Sequence, residues 1–341
     1  MTDAPPLDAG AGTAGTGAHR VLIVGGGVAG LDLAGMLGRR PALHVTLVDA
    51  ATTHVWKPML HSVAAGTQDM ARAEVAYVAQ ARRHGFRYVP GRAIGVDPQA
   101  RTVRLAEFAL HGHPMLPERV IPYDTLVLAT GSVAGTFGVP GVVEHARHID
   151  TQEEAHAFQE MVVPRLFEAT ATGRPLNIAI VGGGATGVQL AAELLQMADI
   201  VDDHGAGSAR EALRITLLDR GPRLLAAFPE RISDAARARI EQLGVAVRLE
   251  ADVASVDPDG VSLGDGEKVP AAFTIWAAGT EASPLAASLE ALERGDGGRL
   301  VVDTRCRTTR FPDIFAIGDC AMMTPHGRDK PLPPTAQVAF Q

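Results

Sequence analysis

Cysteine is almost missing from this chain: Cys306 and Cys320 are the only two in 341 residues, and they form no C-x-x-C pair. That usage excludes a disulfide scaffold and a zinc knuckle and suits a reducing cytoplasm. Long hydrophobic runs are also lacking, since none approaches the roughly 18 residues of a membrane span. Positive charge is not in excess. With 31 Lys and Arg against 39 Asp and Glu, the net charge of -8 gives no electrostatic reason to expect nucleic acid as a partner. The first residues lack the basic and apolar regions of a signal peptide, and their Gly, Ala, Thr and Pro content reads as a disordered tail over 1–18.

What is present is a globular composition, 46% hydrophobic and 21% charged, in a chain long enough for two cored domains. The far end, Val338-Ala339-Phe340-Gln341, stops inside what reads as a starting helix, without a capping or stop signal, and suggests a truncation.

Two glycine-rich turns stand about half a chain apart. One follows Val21-Leu22-Ile23-Val24 and reads Gly25-Gly26-Gly27-Val28-Ala29-Gly30; the other follows Ile178-Ala179-Ile180-Val181 and reads Gly182-Gly183-Gly184-Ala185-Thr186-Gly187. Each lies between a β-type run and a helical pattern of small residues. In such a strand–turn–helix the first glycine (Gly25, Gly182) permits the tight turn. The second (Gly27, Gly184) lets a pyrophosphate approach the backbone, and the third (Gly30, Gly187) allows close packing of helix on strand. The phosphates then lie at the positive end of the helix.

Acids at the ends of later apolar runs answer both turns. Asp49 follows Gly25 by 24 residues, close to the roughly 20 expected for a ribose-binding acid. Asp219 follows Gly182 by 37, the excess fitting a polar, loop-like insertion over Asp199–Glu211. Asp219 disfavours a 2′-phosphate and so favours NADH over NADPH, a preference that the adjacent Arg220 weakens.

Further along, His54–Thr67 reads as irregular around Trp56-Lys57-Pro58. Phe86–Val89, Arg92–Asp97 and Thr102–Ala106 read as a small meander. Tyr123–Thr130 reads as a buried parallel strand ending at Gly131, and Gly135–Gly141 as a domain exit. Phe273–Ala277 ends in Ala278-Gly279, echoing Ala129-Thr130-Gly131. Asp319, at the end of Ile314–Ile317, reads either as an acceptor for a sugar or ribityl hydroxyl or as a helix N-cap. Cys320 alone reads as a small buried hydrophobe. Histidines 54, 61, 111, 113, 145, 148 and 156 show no metal-ligand spacing. The repeat of turn, acid, alternating strands and A-[TA]-G reads as a duplicated architecture.

Together these segments resemble the two-dinucleotide flavoprotein reductases, and within them the type II NADH dehydrogenases, from about Arg20 to the last residue. The narrower likeness lies in Trp56–His61 with Ala64–Thr67, in Gly182–Leu194, in Trp276–Gly279 and in Pro331–Ala339. The resemblance implies an α/β protein of two Rossmann-like dinucleotide-binding domains, glutathione-reductase-like, with the NAD domain inserted in the FAD domain. Residues 19–150 would open the FAD-binding domain, 151–296 form the NAD(H)-binding domain, and 297–341 return to the FAD domain.

FAD would then be held by Gly25, Gly27, Ala29, Gly30, Asp49, Thr130, Gly131 and Asp319. Lys57 and Pro58 would lie beside the isoalloxazine, and Ala336 and Gln337 at its pyrimidine edge. NADH would be held by Gly182, Gly184, Thr186, Gly187, Asp219 and Gly279. Gln189, Gln337 and Pro58 would carry the catalytic positions.

This chain departs from the family at Gln189, where Glu is usual: glutamine hydrogen-bonds but does not titrate. It also stops before the family's C-terminal membrane-binding stretch. The implied activity moves hydride from NADH to FAD and two electrons on to quinone, without proton pumping, as a peripheral respiratory-chain enzyme on the inner face of the cell membrane. A homodimer is left open.

Several other readings stay open beside it. A disulfide reductase needs a cysteine pair that Leu31–Leu60 lacks. A sulfide:quinone reductase needs reactive cysteines. A ferredoxin-type reductase and a non-catalytic NADH-sensing flavoprotein complete the set.

Overall fold

The run Val21-Leu22-Ile23-Val24 contains no polar residue, so it is stable only where both its faces are covered. In the computed structural model, which describes residues 17–110 and 113–340, it lies within the strand His19–Val24 at the centre of a five-stranded parallel sheet. The sheet order is Ile314–Ala316, Thr125–Leu128, His19–Val24, Leu43–Asp49, Arg87–Pro90. Its side chains alternate between two cores. Leu22 and Val24 pack with Tyr123, Leu126 and Leu300, while Val21 and Ile23 pack with Val45, Leu47, Tyr77 and Phe86.

Ile178-Ala179-Ile180-Val181 repeats the device. The strand Leu176–Val181 is the centre of a second five-stranded parallel sheet, ordered Ala146–Arg147, Phe273–Trp276, Leu176–Val181, Leu213–Leu218, Ala246–Arg248. Ile178 and Ile180 join one core, with Phe158, Leu190 and Leu194, and Ala179 and Val181 the other, with Val142 and Trp276. Each unit also holds a three-stranded antiparallel sheet, inserted in the chain before the last strand or strands of its parallel sheet. In one this is Ala93–Asp97, Thr102–Leu105 and Arg119–Pro122, and in the other Val253–Asp257, Gly260–Leu263 and Lys268–Pro270. This is the duplicated α/β architecture that the repeat predicts.

The described residues group into two units. The first is drawn from Met1–His54, Glu74–Val133 and Glu281–Gln341, the second from Val55–Ala73 and Ala134–Thr280. In sequence, therefore, most of the second is inserted within the first. The long helix of the second unit, Gln152–Thr172, starts at a capping box in which Thr151 and Glu154 satisfy each other's backbone N–H groups.

Three local expectations are corrected. Around Pro58 the chain is helical, with a 3₁₀ turn Lys57–Met59 running into the helix Leu60–Ala64; proline sits at the start of the turn, where its missing N–H costs nothing. The strand Arg87–Pro90 pairs with Leu43–Asp49 in the parallel sheet instead of the meander, whose third strand is Arg119–Pro122. It follows the helix Tyr77–His84, and a helical crossover is what returns a chain to a parallel sheet. The acidic stretch at 199–211 is not a loop throughout. The helix Ala185–Val201 runs into it, and Asp202 accepts hydrogen bonds from the amides of Ala209 (2.5 Å) and Arg210 (3.0 Å), opening the short helix Ala209–Ala212.

The expected tail over 1–18 lies outside the described residues except for Gly17 and Ala18, as do His111, Gly112 and Gln341.

Candidate functional site

The three glycines of each turn meet three different demands. Gly25 and Gly182 have φ of 105° and 120°, the left-handed region that glycine alone enters freely. A Cβ on Gly25 would strike the Ala129 carbonyl, and one on Gly182 would stand 2.6 Å from the Ala277 carbonyl. At Gly30 and Gly187 a Cβ would run into the carbonyl of Gly25 and of Gly182, so here helix and strand pack closer than any other residue allows. Between them Gly27 and Gly184 face open space, with nothing within 4 Å of an added Cβ. Each is the N-cap of its helix, Val28–Leu37 or Ala185–Val201, and no side chain caps either helix. The first-turn amides are thus offered outward over a bare glycine ledge, the arrangement that receives a pyrophosphate. Both cradles fit a dinucleotide.

The acids lie where strand-end spacing puts them. Asp49 Oδ2 accepts from the Gly26 amide (2.6 Å) and Oδ1 from the Ala51 amide (2.8 Å). Asp219 repeats this with Gly183 (2.5 Å) and Gly221 (2.6 Å). Burial pushes the Asp49 carboxyl up, while the two amides and the charges of His54 and Arg92 draw it back. Burial likewise lowers His54.

The carbonyl of each middle glycine is also held. Gly26 O accepts from the Tyr77 hydroxyl (2.8 Å), and Gly183 O from the Leu225 amide (2.8 Å). A side chain on Gly26 would fall on the Tyr77 hydroxyl, and one on Gly183 would stand 2.6 Å from the Leu224 side chain. This is why each turn has three glycines in a row although the tight turn and the pyrophosphate demand only the outer two of the three. Tyr77 stacks on Tyr88 with centroids 5.1 Å apart, and Tyr88 donates to Ala51 O at 2.5 Å. Burial raises both phenols, that of Tyr88 to about 12, so both remain donors. Tyr77 lies 51 residues from Gly26, and no local sequence signal marks it.

The remaining residues expected at the first turn gather within the first unit. Thr130 Oγ1 accepts from Ser283 Oγ (2.7 Å), and Gly131 has φ of 65° with open space before it. Asp319 lies inside the 3₁₀ turn Gly318–Cys320, which has no side-chain cap; its Oδ2 accepts from Ser132 Oγ at 3.1 Å. It is therefore not an N-cap. A Cβ on Gly318 would stand 3.4 Å from Ala29 Cβ and 3.6 Å from Ala339 Cβ, so the first helix, this turn and the helix Ala336–Phe340 meet. Gln337, near the start of that helix, is exposed. Cys320 is fully buried and its thiol donates to Leu128 O and Ile317 O, both at 3.3 Å. Burial raises the thiols of Cys320 and Cys306 alike.

In the second unit Thr186 lies exposed in the first helical turn, and Gly279 has φ of 67°. Pro58 and Gln189 come together there, the Gln189 amide donating to Pro58 O at 3.4 Å. Lys57 Nζ pairs with Asp150 at 2.9 Å, and Asp150 also accepts from the Ala134 amide at 2.7 Å. Glu193, one helical turn beyond Gln189, accepts from the hydroxyls of Ser62 (2.7 Å) and Thr67. His61 is buried, and burial lowers its imidazole. Asp150 carried no sequence signal, and Glu193 entered only as part of the resembling segment Gly182–Leu194, because the partners of both are brought near only by the fold. Among the described residues no three of His, Cys, Asp and Glu gather to hold a metal ion, and no helix is long and apolar enough to cross a membrane.

Two parallel-sheet units, each with a glycine cradle and a strand-end acid, define a two-dinucleotide α/β protein. The model of the pyridine nucleotide-disulphide oxidoreductase family matches residues 19–341. A curated type II NADH:quinone oxidoreductase of Haemophilus influenzae is 36% identical over 94% of this chain and 77% of its own length. NdhA of Mycobacterium tuberculosis, also a type II NADH:quinone oxidoreductase, is 29% identical over 98% of this chain and 72% of its own. The solved structure of NDH2 from Plasmodium falciparum in complex with NADH superposes with a TM-score of 0.78 at 21% identity, covering 90% of this chain and 65% of that one, a likeness of fold. The chain belongs to the pyridine nucleotide-disulphide oxidoreductase family and, within it, to the type II NADH:quinone oxidoreductases.

Proposed function

We propose that this protein is an FAD-dependent NADH:quinone oxidoreductase that does not pump protons. The observation that carries the proposal is the 36% identity over 94% of the chain to a type II NADH:quinone oxidoreductase, in a chain that keeps both glycine ledges open. Bound FAD would supply the hydride-accepting and two-electron-donating chemistry that links NADH to a quinone.

The chain's residues do the holding. In the first unit Gly25, Gly27, Ala29 and Gly30 present the FAD pyrophosphate to helix amides, Asp49 takes ribose hydroxyls, and Thr130, Gly131 and Asp319 line the remainder. Ala336 and Gln337 serve the flavin ring. In the second unit Gly182, Gly184, Thr186, Gly187 and Gly279 hold NADH. Asp219 selects it over NADPH, since a carboxylate at the ribose repels a 2′-phosphate.

Gln189 acts by hydrogen bonding to the Pro58 carbonyl and moves no proton, because an amide does not titrate. Quinone is a membrane-dissolved acceptor, so the enzyme works against the cytoplasmic face of the cell membrane. A sulfide:quinone reductase is disfavoured by Cys320, whose thiol is fully buried and bonded to the Leu128 and Ile317 carbonyls, which leaves no reactive cysteine pair.

Anaerobic mixing tests the reading. NADH bleaches the bound flavin and a soluble quinone analogue restores it, whereas sulfide and reduced ferredoxin leave it unchanged. A protein that purifies without flavin, or a flavin that NADH does not bleach, refutes it.

A further inference from the structure

Phe137 is a poor residue for its place by ordinary rules. The residue is 57% exposed, and its φ of 50° lies in the left-handed region that bulky side chains avoid. The loop that carries it is fixed at both stems. Trp276 Nε1 donates to Gly135 O at 2.7 Å, and the Val256 amide donates to Pro140 O at 2.9 Å. Only the tip between them is left to the solvent. Strain of this kind persists where surrounding structure enforces it, and it clusters at ligand sites.

The ring's two contacts show what it covers. It occupies the space in which a Cβ of Gly279 would stand, and the Arg220 guanidinium lies 6.0 Å from its centroid. Gly279 follows the strand Phe273–Trp276, and Arg220 follows the strand Leu213–Leu218. In the sheet these two strands flank Leu176–Val181 on either side, the strand that ends at the glycine turn Gly182–Gly187. The ring therefore touches both neighbours of the central strand beyond their carboxyl ends. Ligands of open parallel sheets lie in that crevice.

We propose that Phe137 is a shutter over the NADH cradle: its ring bridges Gly279 and Arg220 across the crevice, and the nucleotide must displace it to bind. This rests on the assignment of NADH to the second glycine turn. The contacts given up on opening are the cation–π approach of Arg220 and the seat on Gly279, both exposed and therefore weak. An exposed cation–π contact corresponds to a factor of about two to five in an equilibrium constant. Displacement of the ring is thus a modest tax on binding, which speeds product release in equal measure.

The test is titration of the FAD-loaded protein with NADH under anaerobic conditions, using an unreactive nicotinamide analogue for equilibrium binding. Phe137→Ala is expected to lower the Kd about two- to five-fold and to raise the association rate, while Phe137→Trp raises the Kd. Because the side chain is exposed, neither variant threatens folding, and retention of FAD checks this directly. A Kd for Phe137→Ala that is unchanged or higher overturns the shutter. Gly184→Ala is measured alongside. If it leaves NADH binding untouched, the assignment of the second turn has failed, and the shutter with it; if it abolishes binding while Phe137→Ala changes nothing, the shutter alone has failed.

Discussion

Gly184→Ala separates ligand binding from folding more cleanly than any other single change, because the added methyl meets nothing in the protein. No atom lies within 4 Å of a Cβ at Gly184, and its φ of -72° and ψ of -177° are open to alanine. Two small terms act on stability. Alanine restricts the unfolded chain more than glycine, a gain of about 0.4–1 kcal/mol, while it is the poorer N-cap by about 0.5–1 kcal/mol. They nearly cancel, so the urea midpoint should hold.

The methyl does stand on the ledge over which a pyrophosphate approaches. Losing one amide hydrogen bond to a charged oxygen costs about 1.5–3 kcal/mol, or roughly 10- to 150-fold in NADH affinity. Gly187→Ala makes the contrast, since its methyl runs into the Gly182 carbonyl and should cost about 1–3 kcal/mol of stability. The assays are nicotinamide-analogue titration and urea unfolding of the FAD-loaded enzyme, with FAD content as a check. The reasoning is refuted if Gly184→Ala binds the analogue like the parent protein, or if it unfolds as early as Gly187→Ala.

Three further outcomes follow from the same geometry. Tyr77→Phe keeps the stacked ring but leaves the Gly26 carbonyl without its donor, which should cost about 1–3 kcal/mol in the first unit and hasten FAD release, read by flavin fluorescence on dilution. An FAD release rate equal to that of the parent would show the clamp to be idle. Glu193→Ala strands the hydroxyl of Ser62, while that of Thr67 keeps the Ser62 carbonyl as acceptor, and should lower stability by about 1–3 kcal/mol, with Glu193→Gln, which retains an acceptor, falling between; equal losses in the two variants would contradict this. Finally, burial lowers His54 and His61 below the ordinary 6.5, so the stability they contribute is complete above that pH and is lost as pH falls through their depressed folded values. The thermal midpoint should therefore drop on acidification below about 6.5, and the double variant His54→Gln with His61→Gln should flatten that slope; a slope unaltered in the double variant would assign the acid sensitivity elsewhere.

How much of this was legible in the sequence depends on the span over which each demand operates. Gly25, Gly27 and Gly30 sit within six residues, and their three tasks are local to a strand–turn–helix, so their pattern could be read directly. Asp49 and Asp219 were readable as strand ends, because neighbouring parallel strands finish at the same edge. The edge strand Ala146–Arg147 was not readable, since two residues show no periodicity. Nor was Asp202 as a cap, because its acceptor role depends on where the helix resumes. The middle glycines mark the boundary. Three glycines in succession at both turns disclose that something presses on the central one, yet the presser is a tyrosine hydroxyl from 51 residues away in one unit and a backbone amide in the other. A duplicated fold repeats the need to hold that peptide at both ends, and each copy has met it with different chemistry. Repetition in the sequence therefore reveals the constraint, while only the packed structure reveals the donor. The two turns should accordingly respond differently to mutation: side-chain substitution reaches the clamp on Gly26 through Tyr77, but no side-chain substitution removes the Leu225 amide unless it is proline.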